Sequence, residues 1–172
     1  MSIITNISLD HVALLGHDQP TIAREKAGII KPGIPAVIGE AEGEVRDVFQ
    51  HRADEVHAPI FFAQECDSMT SATPSRGGWQ YTGTMVGDLW GELGGLCQEK
   101  NASTILTAVA QLRQIGYNIP DEAIREGFAQ VTTLSGLQGR WQKLADSPLT
   151  ICDTGHNIGG MQYIEQQLAA TP

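Results

Sequence analysis

The sequence is short of basic residues: eleven Lys and Arg stand against twenty Asp and Glu, for a net charge of -9. So acidic a surface repels phosphate backbones and anionic headgroups, which argues against broad contact with nucleic acid or membrane but leaves room for a local basic pocket around one phosphate. Small-molecule chemistry is the expectation. Cysteine is scarce too. Cys66, Cys97 and Cys152 are odd in number and widely spaced, which fits reduced, mostly buried thiols better than a disulfide framework or a zinc site. Long apolar runs are missing, and no basic start precedes an apolar stretch at the N-terminus, so nothing reads as a transmembrane helix or signal peptide. The expected compartment is the cytoplasm. There is no internal repeat and no long low-complexity tract.

What is present is a soluble, globular composition, with 41% apolar and 18% charged residues in 172. That length can bury a sizeable core. Ser2 to Ile7 reads as a strand. Asp18 or Gln19 can cap a helix whose first turn holds Pro20, with Ile22, Lys26 and Ile29 or Ile30 at helical spacing, and Lys31-Pro32-Gly33 stops it. Pro35 to Ile38 is a strand, Glu44 to Val56 a helix, and Pro59 to Ala63 a strand. This β-α-β order implies a parallel sheet. From Gln64 to Gly95 the Gly, Ser and Thr content with interspersed Trp79, Tyr81, Leu89 and Trp90 predicts hairpins in a small antiparallel sheet. Gln98 to Ile115 returns to helical period, and Pro120 opens a further helix with Ile124, Phe128 and Val131. The polar stretch Thr132 to Gly139 reads as a domain boundary. Beyond it come a buried strand, Leu149 to Cys152, a turn, and a helix from about Gly159 to Ala169.

Several residues in this order are suited to chemistry. Asp10-His11 follows the first strand at the end where open α/β sheets place ligands, and an imidazole there can hold a metal, move a proton, or simply brace the turn. Lys26 lies fifteen residues on, in the apolar helix end AREKAGIIK. By pattern it is a solvated lysine paired with a carboxylate; partly desolvated, its amine becomes a nucleophile toward carbon dioxide. Asn101 is either a helix cap or a group able to read an adenine edge as donor and acceptor together. Arg140 follows the boundary, where a guanidinium can reach a phosphate. Asp153-Thr154-Gly155-His156-Asn157, between a strand and a helix N-terminus, suits a nucleotide: the acid can accept from ribose hydroxyls and Gly155 allows close backbone approach. A polar helix cap explains it about as well. His17, His51 and His57 lack such context and read as surface or loop residues.

Together the segments ITNISLDH, LLGH, IAREKAGIIKPGIPAVIG, QEKNA, GRW and ICDTGHN, in this order, resemble the folylpolyglutamate synthase / dihydrofolate synthase family, a branch of the Mur ligase superfamily. The likeness covers nearly the whole chain and is weakest over Gln64 to Gly95. It implies an α/β fold: residues 1–134 as part of a P-loop-type Mur ligase central ATPase domain with a small antiparallel sheet, and 139–172 as the start of a Rossmann-like C-terminal domain. It also implies a reaction in which ATP phosphorylates a folate or dihydropteroate carboxylate and the amine of L-glutamate attacks the acyl phosphate. By position, His11 would bind Mg2+, and Lys26 would be carbamylated to support the same ion. Asn101 would contact adenine, Arg140 the phosphates, Asp153 the ribose, and His156 the nucleotide region.

The chain departs from the family pattern in three places. It has no G-x-x-x-x-G-K-[ST] phosphate loop, it lacks the acidic segment that precedes ITNI in the family, and it carries DTGHNI where DGAHNP is usual. The expectation is an internal fragment of such a ligase, inactive alone, from a monomeric parent, with an open sheet edge that self-associates. Three other readings stay open: a peptidoglycan-type Mur ligase, a non-catalytic nucleotide-binding module, and a metal-dependent hydrolase using His11, Asp153 and His156.

Overall fold

A computed structural model describes residues 1–8 and 18–170. The chain forms two compact units, one from Met1–Asp67, Lys100–Tyr117 and Asn157–Gly159, the other from Ser68–Glu99, Asn118–His156 and Gly160–Pro172.

The first unit is built on three parallel strands, β1 (Ser2–Ile4), β2 (Ala36–Ile38) and β3 (Ile60–Phe62), in that spatial order. Ile4 stands opposite Ile38, and Ile38 opposite Phe62. All three residues of β2 are fully buried, as expected of a central strand with no polar position to spare on either face. Helix α1 (Gln19–Ala27) starts where the Asp18 carboxylate accepts the Thr21 N–H at 2.8 Å, with Pro20 in the first turn. It buries Ile22, Ala23 and Ala27. Helix α2 (Gly43–Glu55) buries Val45, Phe49 and Ala53, each four residues after the last, so one stripe faces the sheet. Of these, Ala23, Ala27, Val45 and Phe49 share one core with Ile4, Ile30, Ile38, Ala41 and Phe62. The sequence placed each of these elements, with ends shifted by one to three residues; the first strand stops at Ile4 rather than Ile7.

Helix α3 (Gln98–Gln114) is the longest, and in the first unit it buries Ala102, Leu106 and Ala108 together with Thr104 and Thr107. Gly39 lets it approach. The Gly39 N–H extends the β1–β2 pairing onto Ile4 O at 2.8 Å, while a Cβ there would overlap the Thr5 carbonyl oxygen and lie 2.6 Å from Thr104 Oγ1. The obstacle is backbone, which cannot swing aside. Gly39→Ala is therefore expected to destabilise the fold by about 1–3 kcal/mol or more, read as a lower denaturant midpoint at unchanged slope; an unchanged midpoint would refute the packing at this point.

In the second unit β4 (Ser71–Ser75), β5 (Gly78–Thr84) and β6 (Gly87–Gly91) form the antiparallel sheet the sequence predicts. Trp79, Tyr81 and Leu89 are buried on it. The Tyr81 ring meets Phe128 edge-on at 5.8 Å, and its hydroxyl donates to Gln98 O at 3.3 Å; burial pushes the phenol well above its usual range. Helix α4 (Asp121–Ala129) covers this sheet, and Arg125 on it donates to the Val86 and Asp88 carbonyls.

Three expectations need correction here. Thr132 to Gly139 is not all linker: α5 (Val131–Ser135) occupies it, its start held by the Glu92 carboxylate, which accepts from the Thr132 N–H and hydroxyl, and its end closed by left-handed Gly136. Strand β8 (Leu149–Cys152) is not buried. Among the described residues it pairs only with β7 (Gln142–Asp146), in a two-stranded ribbon, and Leu149 is 50% exposed. The three thiols are half-buried rather than enclosed. The last helix, α6 (Ile158–Ala169), falls where the sequence places it. No helix among the described residues is long and apolar enough to cross a membrane.

Candidate functional site

Each unit carries part of the expected site. Asp10, His11 and His17 lie outside the described residues. Lys26, in the last turn of α1, is half-buried and donates from Nζ to the Asn6 carbonyl oxygen at 3.2 Å. The ammonium therefore sits at the C-terminal end of β1, on the chain segment leading into Asp10-His11. Among the described residues its partner is a backbone oxygen rather than the carboxylate of the simpler reading. Asn101 is the fourth residue of α3 and half-buried. It stands inside the first turn, so it is not the N-cap. The start of α6 also belongs to this unit: a Cβ on Gly159 would lie 3.5 Å from Ser8 Cβ, so the helix that follows DTGHN begins beside the residue three before His11.

In the second unit the structure brings Arg140, Asp153 and His156 together around one loop. Asp153, half-buried at the end of β8, uses both oxygens on backbone donors: Oδ1 accepts the Gly155 N–H at 2.7 Å and Oδ2 the Trp141 N–H at 2.8 Å. The Gly155 bond is the local turn that an Asp makes two residues ahead. Thr154 reaches back to the Gly139 carbonyl with its N–H at 3.0 Å and its hydroxyl at 3.2 Å. Arg140 Nη1 donates to Gly139 O at 3.3 Å and to the Thr154 hydroxyl. His156 Nδ1 lies 3.1 Å from the Thr154 carbonyl, which can only accept, so the proton sits on Nδ1 and Nε2 points away from that bond.

Two glycines permit this packing. A Cβ on Gly139, at φ 71°, would lie 2.6 Å from Thr154 Cγ2, and one on Gly155 would lie 2.6 Å from Ile164 Cδ1. Sequence reasoning gave no role to Gly139, Trp141, Gln142 and Thr154; Gly139 and Trp141 carried a signal in their place inside GRW and Thr154 in its place inside DTGHN, and Gln142 carried none. His51 and His57 are exposed.

This arrangement suits a nucleotide. A carboxylate has about four acceptor positions, and Asp153 has committed one on each oxygen, which leaves room for a ribose hydroxyl; a guanidinium has five N–H donors, and Arg140 is exposed. Magnesium is different. Among the described residues no group of three or more His, Cys, Asp and Glu side chains could hold a metal ion, and Lys26 as an ammonium donates and cannot ligate. The described donor set does not fit the ion as it stands.

Comparison with known proteins agrees with the motifs. The chain is 32% identical to the dihydrofolate synthase/folylpolyglutamate synthase of Escherichia coli K12, over 100% of this chain and 38% of that protein. To the folylpolyglutamate synthase of Lacticaseibacillus casei it is 31% identical, over 100% of this chain and 41% of that one. No family model matches the chain. Among solved structures, an FPGS–AMPPCP–folate complex superposes on 99% of this chain and 43% of its own with a TM-score of 0.85 at 31% identity. The chain belongs to the folylpolyglutamate synthase / dihydrofolate synthase family. The α/β architecture, with its small antiparallel sheets, is that of a Mur ligase-type domain fragment in this family. The chain spans about two-fifths of the length of the curated relatives it matches.

Proposed function

We propose that the protein carrying this chain at its relatives' length is an ATP-dependent ligase that joins L-glutamate to a folate or dihydropteroate carboxylate. The observation that carries this reading is the match of the whole chain to folate ligases, including a solved structure holding a nucleotide analogue and folate. Folate's carboxylate oxygen attacks the γ-phosphorus and ADP leaves; the glutamate amine then attacks the acyl carbon, and phosphate leaves as the amide forms. Proximity and neutralisation of charge are what a protein supplies to such a transfer.

Arg140 meets the phosphates, Asp153 the ribose, Asn101 the adenine edge through its amide, and His156 the nucleotide region. His11, with Lys26 after carbamylation has turned its ammonium into an oxygen ligand, would hold a magnesium ion that offsets phosphate charge. Residues 1–134 serve as part of the central ATPase domain and 139–172 as the start of the C-terminal domain. The protein acts as a cytoplasmic monomer. The 172 residues alone contain no Gly-Lys phosphate loop and turn over nothing by themselves.

The test is a substrate panel on the protein at its relatives' length. ATP-dependent incorporation of labelled glutamate into dihydropteroate or a reduced folate, absent from a UDP-linked peptidoglycan precursor, is the expected result. Ligation only of the peptidoglycan precursor, or none of any substrate, would overturn the reading.

A further inference from the structure

We propose that Asp153 is a positioning residue for Arg140, acting through the backbone of Trp141. This rests on the reading of Arg140 as the phosphate contact. Arg140 lies between two residues in the left-handed region, Gly139 at φ 71° and Trp141 at φ 50°. Glycine adopts that conformation freely; tryptophan does not, and holding it there needs a specific restraint. The restraint is the 2.8 Å bond from the Trp141 N–H to Asp153 Oδ2. On the other side Gly139 is fixed through three bonds, its N–H to Gln142 Oε1 at 2.9 Å and its carbonyl from the Thr154 N–H and hydroxyl. Trp141 also packs close to Gly94, where a Cβ would lie 3.3 Å from Trp141 Cβ. With both neighbours clamped, the direction of the Arg140 Cα–Cβ bond is set before any ligand arrives.

An asparagine cannot replace this carboxylate. Both oxygens of Asp153 accept from backbone N–H groups, whereas an amide has one oxygen and one NH2, so one of the two N–H groups would face another donor. A ribose contact and a positioning role therefore make different predictions for one isosteric variant.

The experiment is a double-mutant cycle on the protein at its relatives' length, titrated calorimetrically with ADP and with 2′,3′-dideoxy-ADP. Asp153→Asn should weaken 2′,3′-dideoxy-ADP, which has no ribose hydroxyl for Asp153 to meet, by about tenfold, and that loss should be absent in an Arg140→Ala background. In the nucleotide-free protein, the Trp141 amide should lose its protection from hydrogen exchange and the Arg140 Nε–H resonance its order in Asp153→Asn. A loss confined to ADP, with its ribose hydroxyls, or losses that multiply between the two variants, would overturn the proposal. If the wild type binds neither nucleotide, the phosphate reading of Arg140 fails. The nucleotide-free arm still decides the positioning, which is overturned if the Trp141 amide stays protected and Arg140 stays ordered.

Discussion

Arg140→Ala is expected to lower kcat/KM for the proposed ATP-dependent glutamate ligation by about 10²–10³, the loss seen when one preorganised donor to a developing charge is removed. The side chain is exposed, yet its backbone neighbours are held by bonds from Thr154, Gln142 and Asp153, so the guanidinium needs little reordering to meet a phosphate. Arg140→Lys restores the charge but not the planar fork and should recover only part of the activity. Steady-state kinetics with ATP varied would check both variants. An unchanged kcat/KM in the alanine variant would remove Arg140 from the site.

Phe49→Ala costs about 3–5 kcal/mol of folding free energy, the usual loss for a large aromatic deleted from a packed core. Phe49 is 0% exposed and shares its core with Ile4, Ala23, Ala27, Ile38 and Phe62. The same core holds Ile4 of β1, the strand that leads toward Asp10-His11, and Ala23 and Ala27 of α1, the helix that carries Lys26. Against a total stability of about 5–15 kcal/mol, such a loss leaves the first unit marginal. Denaturant unfolding measures it, and a loss under about 1 kcal/mol would mean that the core collapses around the missing ring. Nothing in this effect needs the nucleotide, so it separates support of the scaffold from chemistry at the site.

The β-α-β unit was legible because its signals are local: an unbroken apolar β2, an Asp18 cap followed by Pro20, and Val45, Val48, Phe49 and Val56 on one side of the helix, where the structure buries Val45 and Phe49 and adds Ala53. Strand β7 was not. Gln142-Lys143-Leu144-Ala145-Asp146 has no β-branched or aromatic residue, and it is a strand because β8 pairs with it. Helix α5 was hidden for a similar reason: its start is held by Glu92, forty residues earlier in the chain. Leu149 to Cys152 read as buried because apolar character says nothing about what covers it. At the site, the Asp153 bond to Gly155 could be read from an Asp two residues before a Gly, whereas its bond to Trp141 spans twelve residues and has no local sign. The Lys26 contact with Asn6 O spans twenty. Single residues were ambiguous in the sequence, and the joint order of EKAGIIKPG, QEKNA, GRW and DTGHN made the family legible.

The central claim, ligation through an acyl phosphate, is tested most directly by isotope transfer. A folate or dihydropteroate substrate labelled with ¹⁸O in its reacting carboxylate is turned over with ATP and glutamate by the protein at its relatives' length, and the released inorganic phosphate is analysed by mass. The account predicts one ¹⁸O atom in each phosphate, because the carboxylate oxygen that attacked phosphorus leaves with it. Phosphate free of label, or release of AMP and pyrophosphate, would contradict it.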